Sequence, residues 1–238
     1  MTDRETLFIA DLHLDPARPA TLALFHRFLV ERAARAAALY ILGDLFEVWV
    51  GDDDDTPEYR SVATALRRLA EGGTEVAFVP GNRDFLAGPA LAAATGWRAL
   101  AEPTLIDLHG CPTLLTHGDL LCADDERYQT FRAQTRAPAW IEAFLAKPLG
   151  ERRLIAEGLR EKSREESSGK SREEMDVNAD AVTDAMARHG ARRLIHGHIH
   201  REGIYRETRG ERYVVGDWHE TASVLACDVD GCRLESFR

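Results

Sequence analysis

The chain has 238 residues, 45% of them hydrophobic, which suffices for one large domain or at most two small ones and argues against overall disorder. The formal net charge of −10 argues against a role in coating nucleic acid, because phosphate backbones are bound through clustered Lys and Arg. It leaves open a phosphate substrate that is held by metal ions.

Taken in chain order, the first half alternates between predicted strands and helices. The ranges are strand 6–10, helix 20–38, strand 39–42, helix 57–71, strand 75–79 and helix 88–95. A hairpin of strands 104–108 and 112–116, a charged helical stretch 124–172, a helix 180–189, a buried strand 193–195 and a tail of short strands follow. This order predicts an α/β fold with a mixed sheet or two packed sheets. Because 124–172 interrupts the alternation, we interpret it as a helical cap inserted into a single domain, 1–238.

Five apolar runs end abruptly in Asp, Asn or His. They are Ile9-Ala10-Asp11-Leu12-His13, Ile41-Leu42-Gly43-Asp44, Val79-Pro80-Gly81-Asn82, Leu115-Thr116-His117 and Ile195-His196-Gly197-His198-Ile199-His200. In open α/β sheets, ligands bind outside the carboxyl ends of the strands, so these side chains are expected to converge on one cleft. Within the first and last runs the polar residues are two apart, and on an extended chain such side chains point the same way.

The candidate metal ligands are therefore Asp11, His13, Asp44, Asn82, His117, His198 and His200. Imidazole with carboxylate and amide oxygen, and without thiolate, suits Mn²⁺, Zn²⁺, Fe or Mg²⁺. Seven ligands are too many for one closed site and fit two ions that share one carboxylate, for which Asp44 is best placed. Two ions about 3.5–4 Å apart can share a hydroxide and hold a phosphoryl group for in-line attack.

Each motif by itself has a simpler interpretation. An isolated Asp-x-His is more often a turn with a surface histidine, and Gly81-Asn82-Arg83-Asp84 alone is typical of a turn, because Gly and Asn tolerate positive φ. His-Gly-His-x-His is the rarer pattern. Unrelated turns would not place all five motifs at the ends of successive strands. Their joint occurrence therefore favours the metal site.

These motifs resemble the calcineurin-like metallophosphoesterase superfamily, in the right order through residues 7–200. The resemblance implies a two-sheet αββα sandwich. It also implies one metal on Asp11, His13, Asp44 and His200, and a second on Asp44, Asn82, His117 and His198. His196 matches no ligand and is interpreted as a packed or solvated histidine.

Arg83 departs from most of that superfamily. There, His follows the Asn and helps to protonate or stabilise the leaving oxygen. Arginine is effectively never deprotonated, but it binds phosphate oxygens bidentately, which favours a diphosphate substrate. Gly81-Asn82-Arg83-Asp84 is similar to the branch that hydrolyses UDP-2,3-diacylglucosamine in lipid A synthesis. Further similarity lies in Leu121-Cys122-Ala123-Asp124-Asp125, Ser163-x-x-x-Ser167-x-x-Lys170, Met175-Asp176-Val177-Asn178 and Gly216-Asp217-Trp218.

This closer resemblance implies substrate contacts at Asn82, Arg83, Asp125, Ser163, Ser167, Lys170 and His198. The implied enzyme is a hydrolase with two divalent ions, Mn²⁺ being expected. The metal-bridging hydroxide attacks the α-phosphorus of an acylated UDP-glucosamine lipid and releases UMP and 2,3-diacylglucosamine 1-phosphate. Asp44 and Arg83 then carry the catalysis, and no protein nucleophile is needed. The implied location is cytoplasmic, peripheral on the cytoplasmic face of the inner membrane.

The cap leaves alternatives open. One helical face of the cap is apolar, and it is either packed on the domain or forms a groove for acyl chains. Its residues are Trp140, Ile141, Phe144, Leu145 and Leu149. The cations of the cap either meet anionic headgroups or belong to a solvated helix with interleaved glutamates. They are Arg152, Arg153, Arg160, Lys162 and Arg164. The acidic stretch 52–55 is interpreted as a solvated loop, with Ca²⁺ binding as a remote alternative.

The four cysteines, Cys111, Cys122, Cys227 and Cys232, form no CxxC pair and no secreted disulfide framework. We therefore expect reduced thiols in a cytosolic protein. The first residues lack the apolar core of a signal peptide, and no stretch approaches the roughly 18 apolar residues that span a bilayer.

Other functions remain possible from the residues. A related metallophosphoesterase could act on another phosphodiester or nucleotide diphosphate, and a nuclease or protein phosphatase is disfavoured by the acidic balance and by Arg83. A catalytically inactive scaffold would be expected to have lost ligands, and all seven are present.

Overall fold

The structure is a computed structural model that describes residues 4–168 and 176–238, with side chains up to Ser163 in the helix that ends at Ser168. The described strands are β1 (Thr6–Ile9), β2 (Ala38–Leu42), β3 (Glu75–Val79), β4 (Arg98–Ala99), β5 (Thr104–Leu108), β6 (Cys111–Leu115), β7 (Arg193–His196), β8 (Gly203–Glu207), β9 (Gly210–Val214), β10 (Ala222–Asp228) and β11 (Gly231–Phe237). The helices are α1 (Pro19–Glu31), α2 (Pro57–Glu71), α3 (Pro89–Thr95), α4 (Glu126–Thr135), α5 (Pro138–Leu145), α6 (Leu149–Ser168) and α7 (Ala179–His189).

Local sequence explains most helix starts. Proline occupies the first turn of α1, α2, α3 and α5, where its missing N–H costs nothing and its fixed φ suits the helix. The helices α4 and α7 instead begin after Asp125 and Asn178, whose side chains accept hydrogen bonds from the backbone N–H groups of Tyr128 and Ala181.

The strands form two mixed sheets, which confirms the predicted α/β class. The six-stranded sheet has the order β11-β10-β1-β2-β3-β4, and the five-stranded sheet has the order β5-β6-β7-β9-β8. In the first sheet β1, β2 and β3 are parallel, and in the second β6, β7 and β9 are parallel. The carboxyl ends of these parallel strands carry the polar residues singled out in the sequence.

Three buried apolar clusters show how the layers stack. One lies between the sheets and joins Phe8 and Val79 of the first to Leu115 and Ile195 of the second. A larger cluster joins the outer face of the first sheet to α1, α2 and α3. A third places α7 against β6 and β7. The layer order is therefore helix, sheet, sheet, helix, the αββα sandwich that the resemblance implied.

The first predicted helix, 20–38, is too long. α1 ends at Glu31, a short 3₁₀ turn spans Ala33–Arg35, and β2 begins at Ala38. Ala37 donates to the carbonyl of Glu5 and accepts from the amide of Glu75, so this alanine-rich stretch completes sheet hydrogen bonding. Tertiary pairing overrides the helix propensity of alanine here.

The prediction of four reduced thiols is wrong for one pair. Cys227 and Cys232 face each other directly across the β10–β11 hairpin, with Cα atoms 4.1 Å apart, and form a disulfide. Cys111 and Cys122 are not disulfide-bonded. The pairing depends on hairpin register, which the spacing of the cysteines alone did not indicate. No described helix is long and apolar enough to cross a membrane.

Candidate metal centre

The loops that follow the parallel strands bring the seven predicted ligands to one rim. Backbone hydrogen bonds tie the loops together: Asp11 donates to the carbonyl of Gly43 at 3.2 Å, and His13 donates to that of Asp44 at 2.9 Å. Within the five-stranded sheet, Gly197 donates to the carbonyl of His117 at 2.8 Å. Across the sheets, the backbone N–H of His198 donates to Oδ2 of Asp11 at 2.7 Å. The two sheets thus contribute to one continuous site.

The backbone at five of the seven ligands is left-handed rather than extended. The φ angles are 54° at Asp11, 46° at His13, 51° at Asp44, 70° at His198 and 52° at His200. The side chains at i and i+2 do converge, as expected. The reason given for it, an extended chain, is wrong. The pairs converge through tight loops, in a conformation that costs about 1–3 kcal/mol for a residue other than glycine.

Two glycines allow the loops to approach the ligands closely. A Cβ on Gly81 would lie 2.2 Å from Oδ1 of Asp44, and a Cβ on Gly197 would lie 2.3 Å from Oδ2 of Asp11. Any other residue would displace these carboxylates. The glycines beside Asn82 and His198 are thus part of the site.

One group of donor atoms surrounds Asp11. Nε2 of His200 lies 3.5 Å from Oδ1 of Asp11, and Nε2 of His13 lies 3.8 Å from Oδ2 of Asp44. The two Nε2 atoms are 3.4 Å apart. This group matches the first ligand set that the resemblance implied.

A second group lies on the other side of Asp44. Nε2 of His117 is 2.9 Å from Oδ1 of Asn82, 3.7 Å from Oδ1 of Asp44 and 3.2 Å from Nδ1 of His198. Asp44 therefore stands between the two groups and offers one carboxylate oxygen to each.

The donor set fits divalent cations on three observations. Oδ1 of Asp11 is buried without a hydrogen-bond partner among the described residues. Ring nitrogens of different histidines converge on common points, as ligand atoms do around an ion. Asp11, His13 and His200 form one group of donors within 4.8 Å of one another, and Asp11, Asp44 and His117 form another. Nitrogen and oxygen donors without sulfur suit Mn²⁺, Zn²⁺, Fe or Mg²⁺.

Charges within the cluster shift several pKa values strongly. Burial alone would raise the pKa of Asp11, but the nearby His200, His117 and His13 lower it to about 2. Burial alone would lower the pKa of His117, but the Asp44 and Asp11 carboxylates raise it to about 9. For His200, contacts with Asp11 and Asp217 outweigh burial and raise the pKa to about 10.

His198 and His196 behave differently. Burial and the adjacent His117 lower the pKa of His198 to about 4. His196 is fully buried, its Nδ1 lies 2.8 Å from the carbonyl of Gly197, and burial lowers its pKa to about 3. His196 is thus packed, which is one of the two alternatives that the sequence left open.

A cleft opens over the cluster, and three arginines line it: Arg18, Arg83 and Arg160. The backbone N–H of Arg83 donates to Oδ1 of Asp44 at 2.8 Å, which fixes the residue beside the shared carboxylate. Nε of Arg83 is buried without a hydrogen-bond partner among the described residues. This guanidinium can therefore donate to an anionic oxygen in the cleft.

The remaining predicted substrate contacts lie on the cap. Asp125 caps α4 through its side chain, as described above. Ser163 is exposed on α6. The side chain of Ser167 and the whole of Lys170 lie outside the described residues.

The helix α4 is fixed to the site by a buried ion-pair network that the sequence did not reveal. Arg132 and Arg136 both contact the carboxylates of Glu102 and Asp119. The other oxygen of Glu102 accepts from the backbone N–H of His117 at 2.9 Å. Arg136 also donates to the carbonyl of Gly81 at 3.0 Å, beside Asn82.

The acidic stretch 52–55 is only partly solvated, since Asp53 and Asp55 are exposed but Asp54 is buried. Asp52 accepts from the backbone N–H groups of Gly88, Ala90 and Leu91 and so caps α3. Asp53 pairs with Arg152, and Asp54 pairs with Arg153 at 2.7 Å.

Three of the cap arginines, for which headgroup contact and a solvated helix were both open, are instead engaged with the chain itself. Arg152 is 2% exposed and also donates to the carbonyl of Val50. Arg153 contacts Asp54 and Asp55, and Arg160 pairs with Glu47. The loop and α6 form a joint whose members lie about a hundred residues apart in the chain.

The apolar face of α5 is packed rather than free. Phe144 is 5% exposed, belongs to the main core cluster and stacks on Trp140 with ring centroids 4.8 Å apart. Ile141 and Leu149 are partly buried against the same core, whereas Leu145 is 40% exposed. The interpretation of this whole face as an open acyl groove is wrong, because the core beneath it already buries most of its side chains.

Two further carboxylates reach the ligands from outside. Oε2 of Glu47 lies 3.0 Å from Nδ1 of His13, and Oδ2 of Asp217 lies 3.2 Å from Nδ1 of His200. Both belong to motifs visible in the sequence, Gly43-Asp44-Leu45-Phe46-Glu47 and Gly216-Asp217-Trp218. Neither was assigned a role there.

Comparison with known proteins agrees with this geometry. The family described as Calcineurin-like phosphoesterase matches residues 5–202. A protein of Xanthomonas campestris pv. campestris named UDP-2,3-diacylglucosamine hydrolase is 49% identical over 98% of both chains. One of the same name from Stenotrophomonas maltophilia is 48% identical over 98% of both chains. A solved archaeal phosphodiesterase is 9% identical, with a TM-score of 0.50 over 98% of this chain and 99% of that one, and indicates a shared fold.

Proposed function

The chain belongs to the calcineurin-like phosphoesterase family, and on this premise we propose that it hydrolyses UDP-2,3-diacylglucosamine. The products are UMP and 2,3-diacylglucosamine 1-phosphate. The similarity to relatives of that name extends over 98% of both chains, so it includes the cap as well as the metal centre.

The observation that carries this proposal is the shared position of Asp44. Its two oxygens face two groups of nitrogen and oxygen donors, and a cleft with an available guanidinium opens directly above them. Asp11, His13 and His200 would hold one ion with Asp44. Asn82, His117 and His198 would hold the second with it. Mn²⁺ is the proposed ion in both positions.

Two bound divalent ions would supply an activated water at neutral pH and neutralise phosphoryl charge. The chain itself supplies orientation. Arg83, fixed through its backbone to Asp44, binds a diphosphate oxygen with its planar fork. Arg18 and Arg160 line the same cleft and add positive charge for the remaining phosphate oxygens. A good anionic leaving group needs no general acid, which agrees with arginine at position 83.

We propose that the cap residues 124–172 close over the bound substrate, with Asp125, Ser163, Ser167 and Lys170 in contact with it. Ion pairs of Arg132 and Arg136 hold the start of the cap, and those of Arg152 and Arg160 hold α6 to the rest of the chain. Leu145 and Leu154 are 40% and 70% exposed on this cap. They support a peripheral position at the cytoplasmic face of the membrane that holds the lipid.

Hydrolysis in ¹⁸O-labelled water tests the reaction and its direction. Attack at the α-phosphorus places the label in UMP, whereas attack at the β-phosphorus places it in the lipid phosphate. The assay follows both products by mass spectrometry with Mn²⁺ present, and bis-p-nitrophenyl phosphate serves as a small phosphodiester control. Label in the lipid product would refute the proposed attack. Faster turnover of the small diester than of the lipid would refute the substrate.

A further inference from the structure

The two histidines of the Asp11 group are held from behind by carboxylates. His13 turns Nε2 toward the cluster and Nδ1 toward Glu47, at 3.0 Å, a close charge contact without the alignment of a hydrogen bond. His200 turns Nε2 toward Asp11 and Nδ1 toward Asp217, at 3.2 Å. In each imidazole the outward nitrogen meets a negative charge, while the inward nitrogen stays available to an ion.

The Asn82 group is built differently. Nδ1 of His117 lies 2.9 Å from the backbone carbonyl of Leu42, which is a neutral acceptor. His198 turns Nδ1, not Nε2, toward the cluster, 3.2 Å from Nε2 of His117. The two halves of the site share Asp44 but differ in the charge placed behind their imidazoles.

We propose that Glu47 and Asp217 are positioning residues that orient His13 and His200 and make the ion of the Asp11 group the more tightly held of the two. The inference rests on the two-ion site of the proposed function. A carboxylate behind a ligating imidazole fixes the ring and its tautomer and strengthens Nε2 as a donor. Loss of such a partner typically weakens metal binding about 10–100-fold.

Glu47 also contacts the cap helix, and the test must distinguish the effect of that contact from the effect of the contact with His13. Its Oε1 pairs with Arg160 of α6, so a variant at Glu47 also releases the cap helix. Arg160→Ala breaks that pair and leaves Glu47 beside His13. If Glu47 acts through His13, Arg160→Ala keeps the metal affinity of the wild type.

The experiment is a Mn²⁺ titration of the full chain after removal of metal by a chelator, without substrate. Electron paramagnetic resonance measures free Mn²⁺, and calorimetry gives the two affinities. Glu47→Ala and Asp217→Ala should each weaken the tighter ion about 10–100-fold and leave the weaker one unchanged. Glu47→Gln, which keeps an oxygen for the Nδ1–H group, should recover part of the loss.

Glu207→Ala is the matched control. Its side chain is 16% exposed, as is that of Glu47, and it pairs with Arg212 at 2.7 Å. It should not change either affinity. Equal weakening of both ions, or no weakening in either variant, would overturn the proposal. If Glu47→Ala does not fold, Asp217→Ala decides alone. Because no substrate is present, a negative result leaves the proposed hydrolysis intact, and failed hydrolysis leaves the two affinities measurable.

Discussion

Replacement of Glu102 by alanine should destabilise the protein and loosen the metal loops together. The side chain of Glu102 is 4% exposed. Its Oε1 accepts from the N–H of His117 and the hydroxyl of Thr116, both at 2.9 Å. Its Oε2 contacts Arg132 at 2.7 Å and Arg136 at 3.1 Å.

The expected decrease in the free energy of unfolding depends on which groups lose a hydrogen-bond or ion-pair partner. Both arginines still contact Asp119, at 2.8 and 3.2 Å, so neither guanidinium is left unpaired. The N–H of His117 and the hydroxyl of Thr116 each lose their Glu102 acceptor, at about 1–3 kcal/mol per buried group. Together they predict a decrease of about 4 kcal/mol in the free energy of unfolding.

Urea unfolding of the metal-free protein, followed by circular dichroism, measures this decrease through the transition midpoint at constant slope. Glu75→Ala is the control, because Glu75 also pairs with an arginine, Arg98 at 2.7 Å, but its side chain is 53% exposed. That exposed pair should contribute less than about 1 kcal/mol. If Glu102→Ala costs no more than Glu75→Ala, the buried network does not stabilise the loops as argued.

The other expected outcomes concern the ions, the substrate and the cap. Asp44→Ala should lose both metals and turnover, since it removes the shared ligand; two metals by elemental analysis in an active variant would contradict this. Arg83→Ala should keep two metals while turnover falls about 10²–10³-fold, and Arg83→Lys should not restore it; wild-type rates would show that Arg83 does not bind the diphosphate. Phe144→Ala should cost about 3–5 kcal/mol in urea unfolding and leave the ratio of lipid to small-diester turnover unchanged, because Phe144 is a core residue; a changed ratio would place it in the substrate site. Because the pKa values of His117 and His200 are raised to about 9 and 10, both are protonated at neutral pH without metal. Metal binding should then release protons and strengthen as pH rises, and a binding enthalpy independent of the buffer's ionisation enthalpy would refute it.

The sequence predicted the strands and the residues at their ends because both depend on local order. An apolar run that stops in Asp or His is visible without any partner, and five such runs in parallel strands meet at one rim by geometry. The fold class followed from the same alternation. The left-handed loops at Asp11 and His198 were not predicted, since positive φ is uncommon for residues other than glycine, although Asp and His adopt it more often than most.

What the sequence did not predict depends on distant partners. Glu102 meets Arg136 across 34 positions, and Asp53 meets Arg152 across 99. Composition identifies these residues only as charged, and charged residues are most often solvated. Cys227 and Cys232 are close in sequence, but their pairing depends on a hairpin register that a turn sets. The ion pairs of the cap arginines were not predicted for the same reason.

At the ligand residues with left-handed backbone, a change that raises thermal stability can abolish catalysis. Asp11, His13, Asp44, His198 and His200 hold a conformation that glycine adopts at little cost. Mutation of His13 or His200 to glycine would relieve about 1 kcal/mol or more of backbone strain, and each such gain removes a ligand. At Asp11 and Asp44 the relief is offset, because their carboxylates accept from the N–H groups of His198 and Arg83. A library selected only for survival of heating in chelator would therefore drift toward a sturdier, inactive protein. Laboratory evolution of this chain must select for turnover in every round.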